Sequence, residues 1–113
     1  MTQQQSQRPK LRLASVMQLK PGTEQTYKER HNALWPEMTT LLKTHGAHQY
    51  SIFLHPETLQ LFAYLEVDDA ARWQAIADSE VCQRWWCYMS DIMLVNDDLS
   101  PKHTSLTDMF YFE

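Results

Sequence analysis

From Leu11 to Leu19 the chain alternates. Leu11, Leu13, Ser15, Met17 and Leu19 fall on one side, and Ala14, Val16 and Gln18 on the other, which predicts a strand. Pro21-Gly22 breaks it, Thr23 is placed to cap a helix, and Glu24 suits that helix's positive end. Over residues 24–44 the period changes to that of a helix, carried by Tyr27, Leu34, Trp35, Met38, Leu41 and Leu42. Pro36 lies inside this span and has no amide to offer the carbonyl of Asn32, so the helix must bend there or restart with Pro36 in a first turn. Gly46 is the natural residue just past its end. Residues 48–55 and 59–67 read as two more strands, joined through Pro56-Glu57-Thr58 as a hairpin. Asp68 and Asp69 can cap a short helix over 70–77, and Ser79 a longer one over 80–93. Residues 95–107 are polar and aperiodic, a long connecting loop, and the aromatic run 109–112 reads as a last strand.

The order is strand, helix, strand, strand, helices, strand. This is the ferredoxin-like split βαβ pattern of an α+β domain, with helices over one face of an antiparallel sheet. The other face would carry Val16, Phe53, Phe62 and Tyr64, too apolar a set for water. A second copy packing sheet against sheet would cover it, which predicts a homodimer in the form of a dimeric α/β barrel.

Composition narrows the function classes. The length of 113 residues suits one domain, expected over 11–113 with residues 1–10 as a disordered polar tail that lacks the apolar stretch of a secretory signal. No apolar run approaches the roughly 18 residues that span a bilayer, so no membrane partner is expected. Ten Lys and Arg against 14 Asp and Glu give a net charge of -4 and no basic patch, which argues against nucleic acid. Cys82 and Cys87 sit about 140° apart on the predicted helix, so a disulfide between them is not expected, and free thiols suit a cytoplasmic protein.

Candidate chemistry centres on the first helix. Tyr27 and His31 are spaced i, i+4 on the face that continues through Leu34, Trp35, Met38 and Leu42, and so point toward the sheet. A phenol and an imidazole on an inward stripe need polar partners or a wet cavity. A buried histidine bonded to a backbone carbonyl is the plainer reading. Tyr50 shares a strand face with Ile52 and Leu54, and Trp85-Trp86 point about 100° apart, so one belongs to the core and the other to a cavity or an edge. A cavity lined by tyrosine, tryptophan and one histidine suits a neutral, partly apolar ligand such as a sugar. His45 and His48 form an H-x-x-H that Gly46 interrupts, so no metal site is expected. With only Gly22 and Gly46 there is no glycine-rich phosphate loop, and Asp97-Asp98 reads as a solvated turn.

Three stretches, 27–38 (YKERHNALWPEM), 42–54 (LKTHGAHQYSIFL) and 81–89 (VCQRWWCYM), resemble the L-rhamnose mutarotase family, and the resemblance runs from about Leu11 to Phe112. Ala33 stands where the family pattern has proline, and Cys87 where it has a basic residue. The resemblance implies a homodimeric isomerase that needs no cofactor and interconverts the anomers of L-rhamnose. It places the proton donor on His31 and substrate contacts on Tyr27, Tyr50, Trp85 and Trp86. Protonated His31 would serve the ring oxygen, the tyrosines would hold hydroxyls, and the tryptophans would seat the ring and its 6-deoxy methyl. The rivals are a cofactor-light oxygenase or haem-degrading protein on the same dimeric barrel, and a non-catalytic sugar-binding module.

Overall fold

A computed structural model of the chain describes residues 11–113. The expected tail over 1–10 lies outside them. In order along the described residues come β1 (Leu11–Gln18), α1 (Glu24–Asn32), α2 (Pro36–Thr44), β2 (Ala47–Leu54), β3 (Gln60–Val67), α3 (Ala70–Gln74), α4 (Glu80–Met89) and β4 (His103–Ser105). A 3-10 turn, Ala75–Asp78, links α3 to α4. The strands form one antiparallel sheet in the order β2-β3-β1-β4, the expected ferredoxin-like arrangement.

Register follows from alternation. Leu13 pairs with Leu65, Ser15 with Ala63 and Met17 with Leu61. On β3 the alternate residues Leu61, Ala63, Leu65 and Val67 are all buried. A shift of one residue would turn that whole set to the other face. Leu19, Leu61 and Val67 are the most enclosed side chains, and the helices pack over Leu19 and Leu61 through Met38, Trp85 and Met89. The opposite face carries the cross-strand row Val16–Phe62–Phe53. Within the single chain Phe53 is 71% exposed and Phe62 37%.

The helical span over 24–44 breaks in the second of the two ways open to it. α1 ends at Asn32, and α2 restarts with Pro36 in its first turn behind an extended Trp35. Thr23 holds the capping position of α1, but its hydroxyl does not cap. It donates instead to the carbonyls of Lys20, at 2.7 Å, and Ile92, at 3.1 Å, tying the helix start to the end of the α4 segment. Asp69 and Ser79 do cap, accepting from the amides of Arg72 and Cys82. Gly46 takes φ +80 after α2, as the sequence predicts, and its amide bonds to the carbonyl of Lys43.

The end of the chain departs from expectation. The fourth strand is His103–Ser105, inside the stretch read as a loop, and residues 109–112 are not a strand. Ser105, Thr104 and His103 pair with Ser15, Val16 and Met17, and the amide of Leu106 bonds to the carbonyl of Ala14. The chain then leaves the sheet. Asp108 forms an ion pair with Arg12, and the Arg12 guanidinium lies 4.4 Å from the centre of the Tyr111 ring. Pairing beside β1 selects the polar segment because strand position is a tertiary matter that outweighs β-propensity.

Candidate active site

Between the helices and the sheet lies a cavity of about 690 Å³, inside the usual range for small-molecule sites. Its polar wall comes largely from α1. Glu24, Tyr27, Lys28, His31 and Asn32 all line it, as a stripe at i, i+3, i+4, i+7 and i+8 must. Tyr27 is the buried residue of this otherwise polar helix. Tyr50 enters from β2, and Trp85 and Trp86 from α4. The five side chains singled out in the sequence therefore meet in one cavity. Trp85 is 8% exposed and belongs to the core as well, while Trp86 is partly open, which matches the expected split between core and edge.

His31 is held in one orientation. Its Nδ1 lies 3.1 Å from the carbonyl oxygen of Tyr27, one turn earlier. A carbonyl only accepts, so Nδ1 carries a proton and Nε2 keeps its lone pair when the ring is neutral. The imidazole stacks on the Tyr27 ring at 4.3 Å, and the edge of Trp85 meets it at 5.5 Å. Trp85 is itself braced edge-on by Trp35 at 5.0 Å. Beside His31 on the chain, Arg30 forks onto the Asp91 carboxylate with contacts of 2.9 and 3.3 Å and donates to the Tyr88 carbonyl at 2.7 Å. This clamp fixes α1 against the end of α4, where a cation is also favoured by the helix dipole.

Burial sets the protonation states. It lowers the His31 pKa, an effect only partly opposed by the bond to Tyr27 O, so the resting imidazole is neutral at pH 7. Burial, with a smaller contribution from Tyr50, pushes the Tyr27 phenol well above its ordinary value. Tyr50 is raised by burial and then by Cys82. Both phenols therefore keep their protons and can donate hydrogen bonds. The Cys82 thiol, pushed up to about 11 by burial, is an inert wall group.

Trp73 also lines the cavity, with its ring 6.4 Å from that of Tyr50 and nearly perpendicular to it. Trp73, Glu24 and Lys28 were not among the cavity residues expected from the sequence. For the two charged residues the signal was present, since Glu24 stands three residues before Tyr27 and Lys28 three before His31 on the same helix face. For Trp73, on the five-residue α3, there was none. Tyr50 reaches the cavity after an irregularity in β2, where the register to β3 shifts between His48 and Ser51 and Gln49 takes φ 52. Such bulges re-aim side chains near sites. His45 and His48 turn to different partners, the Leu41 carbonyl and the Asp68 carboxylate, and no cluster of three potential metal ligands occurs among the described residues. Both cysteines are free, and no helix among the described residues is long and apolar enough to cross a membrane. A second hollow, over Asn96, Asp97, Asp98, Ser100 and Lys102, is the outer side of a polar turn and has no aromatic wall.

Fold and cavity together define a class: a small ferredoxin-like domain that encloses a histidine and a set of aromatic faces between its helices and its sheet. A model of the L-rhamnose mutarotase family matches residues 12–112, and the chain belongs to that family. It is 52% identical over 101 residues to the L-rhamnose mutarotase of Tolumonas auensis, covering 89% of this chain and 97% of that one. The crystal structure of an L-rhamnose mutarotase from Formosa agariphila superposes with a TM-score of 0.84 at 46% identity, over 91% of this chain and 99% of that one. A candidate antibiotic biosynthesis monooxygenase from Nitrosomonas europaea superposes at 0.62 with 11% identity, over 91% and 94% of the two chains, which is likeness of fold alone.

Proposed function

We propose that the protein interconverts the α and β anomers of L-rhamnose, with His31 moving the proton. The observation that carries this reading is the convergence of His31, Tyr27, Tyr50, Trp85 and Trp86 on one cavity in a chain of this family. Anomer exchange opens the pyranose to the aldehyde, lets the carbonyl turn, and recloses the ring on its other face. The anomeric hydroxyl must lose a proton, the bond from C1 to the ring oxygen must break, and that oxygen must gain a proton. Neutral His31 can take the first proton at Nε2 while Nδ1–H stays on Tyr27 O. The imidazolium so formed can then protonate the ring oxygen. Both oxygens are bonded to the same carbon, so one nitrogen can serve each in turn. Ring closure runs the same steps backwards. The neutral resting state refines the sequence expectation, in which His31 starts protonated.

Tyr27 and Tyr50, as protonated phenols, donate to sugar hydroxyls. Trp85 and Trp86 offer flat faces to the C–H side of the ring. No metal or cofactor enters these steps. The working unit would be a homodimer in the cytoplasm, supported by the exposed apolar sheet face and by the two free thiols. The test is NMR saturation transfer between the two anomers of L-rhamnose, with and without the protein. Exchange faster than the spontaneous rate is expected. Binding without acceleration would instead identify a sugar-binding module.

A further inference from the structure

After α4 the chain folds back as a hairpin that reaches the cavity. Leu94 N bonds to Gln18 O at 3.0 Å, Lys102 N to Leu94 O at 3.0 Å, and Asn96 N to Ser100 O at 2.8 Å. Val95 and Pro101 form a bridge across it. Its turn is fixed from both sides: Leu99 N donates to Asn96 O, the Asn96 amide group to Ser100 Oγ, and Ser100 N to Asp98 Oδ1. Within this turn Leu99 takes φ 71. A leucine gains nothing from a left-handed backbone, which glycine or asparagine adopts at far lower cost. Leu99 nevertheless stands there, and it lines the cavity together with Val95 and Pro101.

These three residues make a wall with no side-chain donor or acceptor, while the side chains that can bond hydroxyls come from α1 and β2 and, through their indole N–H groups, from α3 and α4. A 6-deoxy sugar has one carbon with no hydroxyl, its methyl group. We propose that Leu99 is a specificity-determining residue, which with Val95 and Pro101 forms the aliphatic wall that takes the 6-deoxy methyl and disfavours a hydroxyl at C6. The tryptophans supply flat faces for the ring, and among the branched aliphatic side chains that line the cavity Leu99 alone is held on a left-handed backbone. A hydroxyl placed against this wall would lose its water without gaining a partner. This inference rests on the mutarotase reading.

L-Mannose differs from L-rhamnose in carrying that hydroxyl, so the two sugars isolate the effect. Saturation-transfer rates are to be measured for both, on wild type, Leu99→Asn and Leu99→Gly, each checked for cooperative unfolding. Asparagine and glycine both suit the left-handed turn, so neither variant depends on the strained backbone. Wild type should favour L-rhamnose in kcat/KM by roughly 10- to 100-fold, the range one apolar contact gives against an added hydroxyl. Both variants should narrow that ratio by about fivefold or more, Leu99→Asn chiefly by raising the rate on L-mannose and Leu99→Gly by lowering that on L-rhamnose. A wild-type ratio retained in a folded variant overturns the assignment of Leu99 and leaves the mutarotase reading standing. No exchange of either sugar by wild type overturns both.

Discussion

His31 illustrates how one side chain obtains its chemistry from its neighbours. The Tyr27 carbonyl fixes the tautomer, the Tyr27 and Trp85 rings fix the plane, and burial keeps the ring neutral at rest. Replacing it with glutamine keeps polarity and removes titration. Anomer exchange in His31→Gln should fall by about 10²–10⁴-fold, the usual weight of acid–base assistance, with the fold intact. A folded variant that exchanges at the wild-type rate would place the proton transfer elsewhere. The lowered pKa adds a pH signature. Because the folded state holds its His31 proton less tightly than the unfolded chain, stability from this group is full above the unfolded value of about 6.5 and declines as pH falls through it toward the folded value. Denaturation midpoints followed from pH 7.5 to 5 should decline more steeply for wild type than for His31→Gln. Exchange should decline over the same acid window, as the neutral base is titrated. Tyr27→Phe should act differently. It leaves the proton carrier in place and removes a hydroxyl contact, so KM should rise more than kcat falls.

At the scale of elements, the joint between α2 and β2 carries its own test. Gly46 sits at φ +80, and a Cβ built on it would meet Asp68 Oδ2 at 3.2 Å and Asp68 Cβ at 3.3 Å. Gly46→Ala should cost about 1–2 kcal/mol from the left-handed backbone alone, with the close contact adding to it. Urea denaturation would measure this, and an unchanged midpoint would mean the joint relaxes freely. This joint was legible in the sequence because a helix must end with its last carbonyls answered, and glycine after a helical stripe is the common solution. The restart at Pro36 was legible for a similar local reason. So was the pair Tyr27 and His31, since i, i+4 spacing on an inward stripe is a geometric statement about one helix. β4 was not legible. The segment His103–Ser105 is a strand because β1 offers it an open edge, and nothing local in those residues says so. Trp73 and the φ +71 turn at Leu99 escaped for the same reason. Each reaches the cavity through the placement of distant segments, which periodicity along one element does not encode.

At the scale of the molecule, the sheet has one face packed by helices and one face uncovered in the single chain. The row Val16–Phe62–Phe53 lies on the uncovered face, with Phe53 71% exposed. Beyond β4 the chain adds Met109, Phe110 and Phe112, which are 87%, 78% and 85% exposed. Isolated exposed apolar residues are ordinary, but a contiguous apolar sheet face with an aromatic arm beside it predicts a partner. A second copy is the natural one. A twofold axis lets the same face cover itself, and about 800 Å² per partner, within reach of one sheet face, is the size of a specific contact. Phe53→Glu isolates this claim. In a monomer the new carboxylate would sit in water and cost little, because Phe53 contributes little to its own chain's core. In a dimer it would be buried twice, once on each side of the axis, with no cation among its cross-strand neighbours. Sedimentation at micromolar concentration should therefore give a dimer for wild type and a folded monomer for Phe53→Glu. A wild type that sediments as a monomer would remove the barrel architecture. Because the cavity lies on the helix side of the sheet, the monomeric variant should still bind L-rhamnose, and any loss of exchange in it would measure how far sheet-to-sheet packing holds β1, β2 and the cavity wall in place.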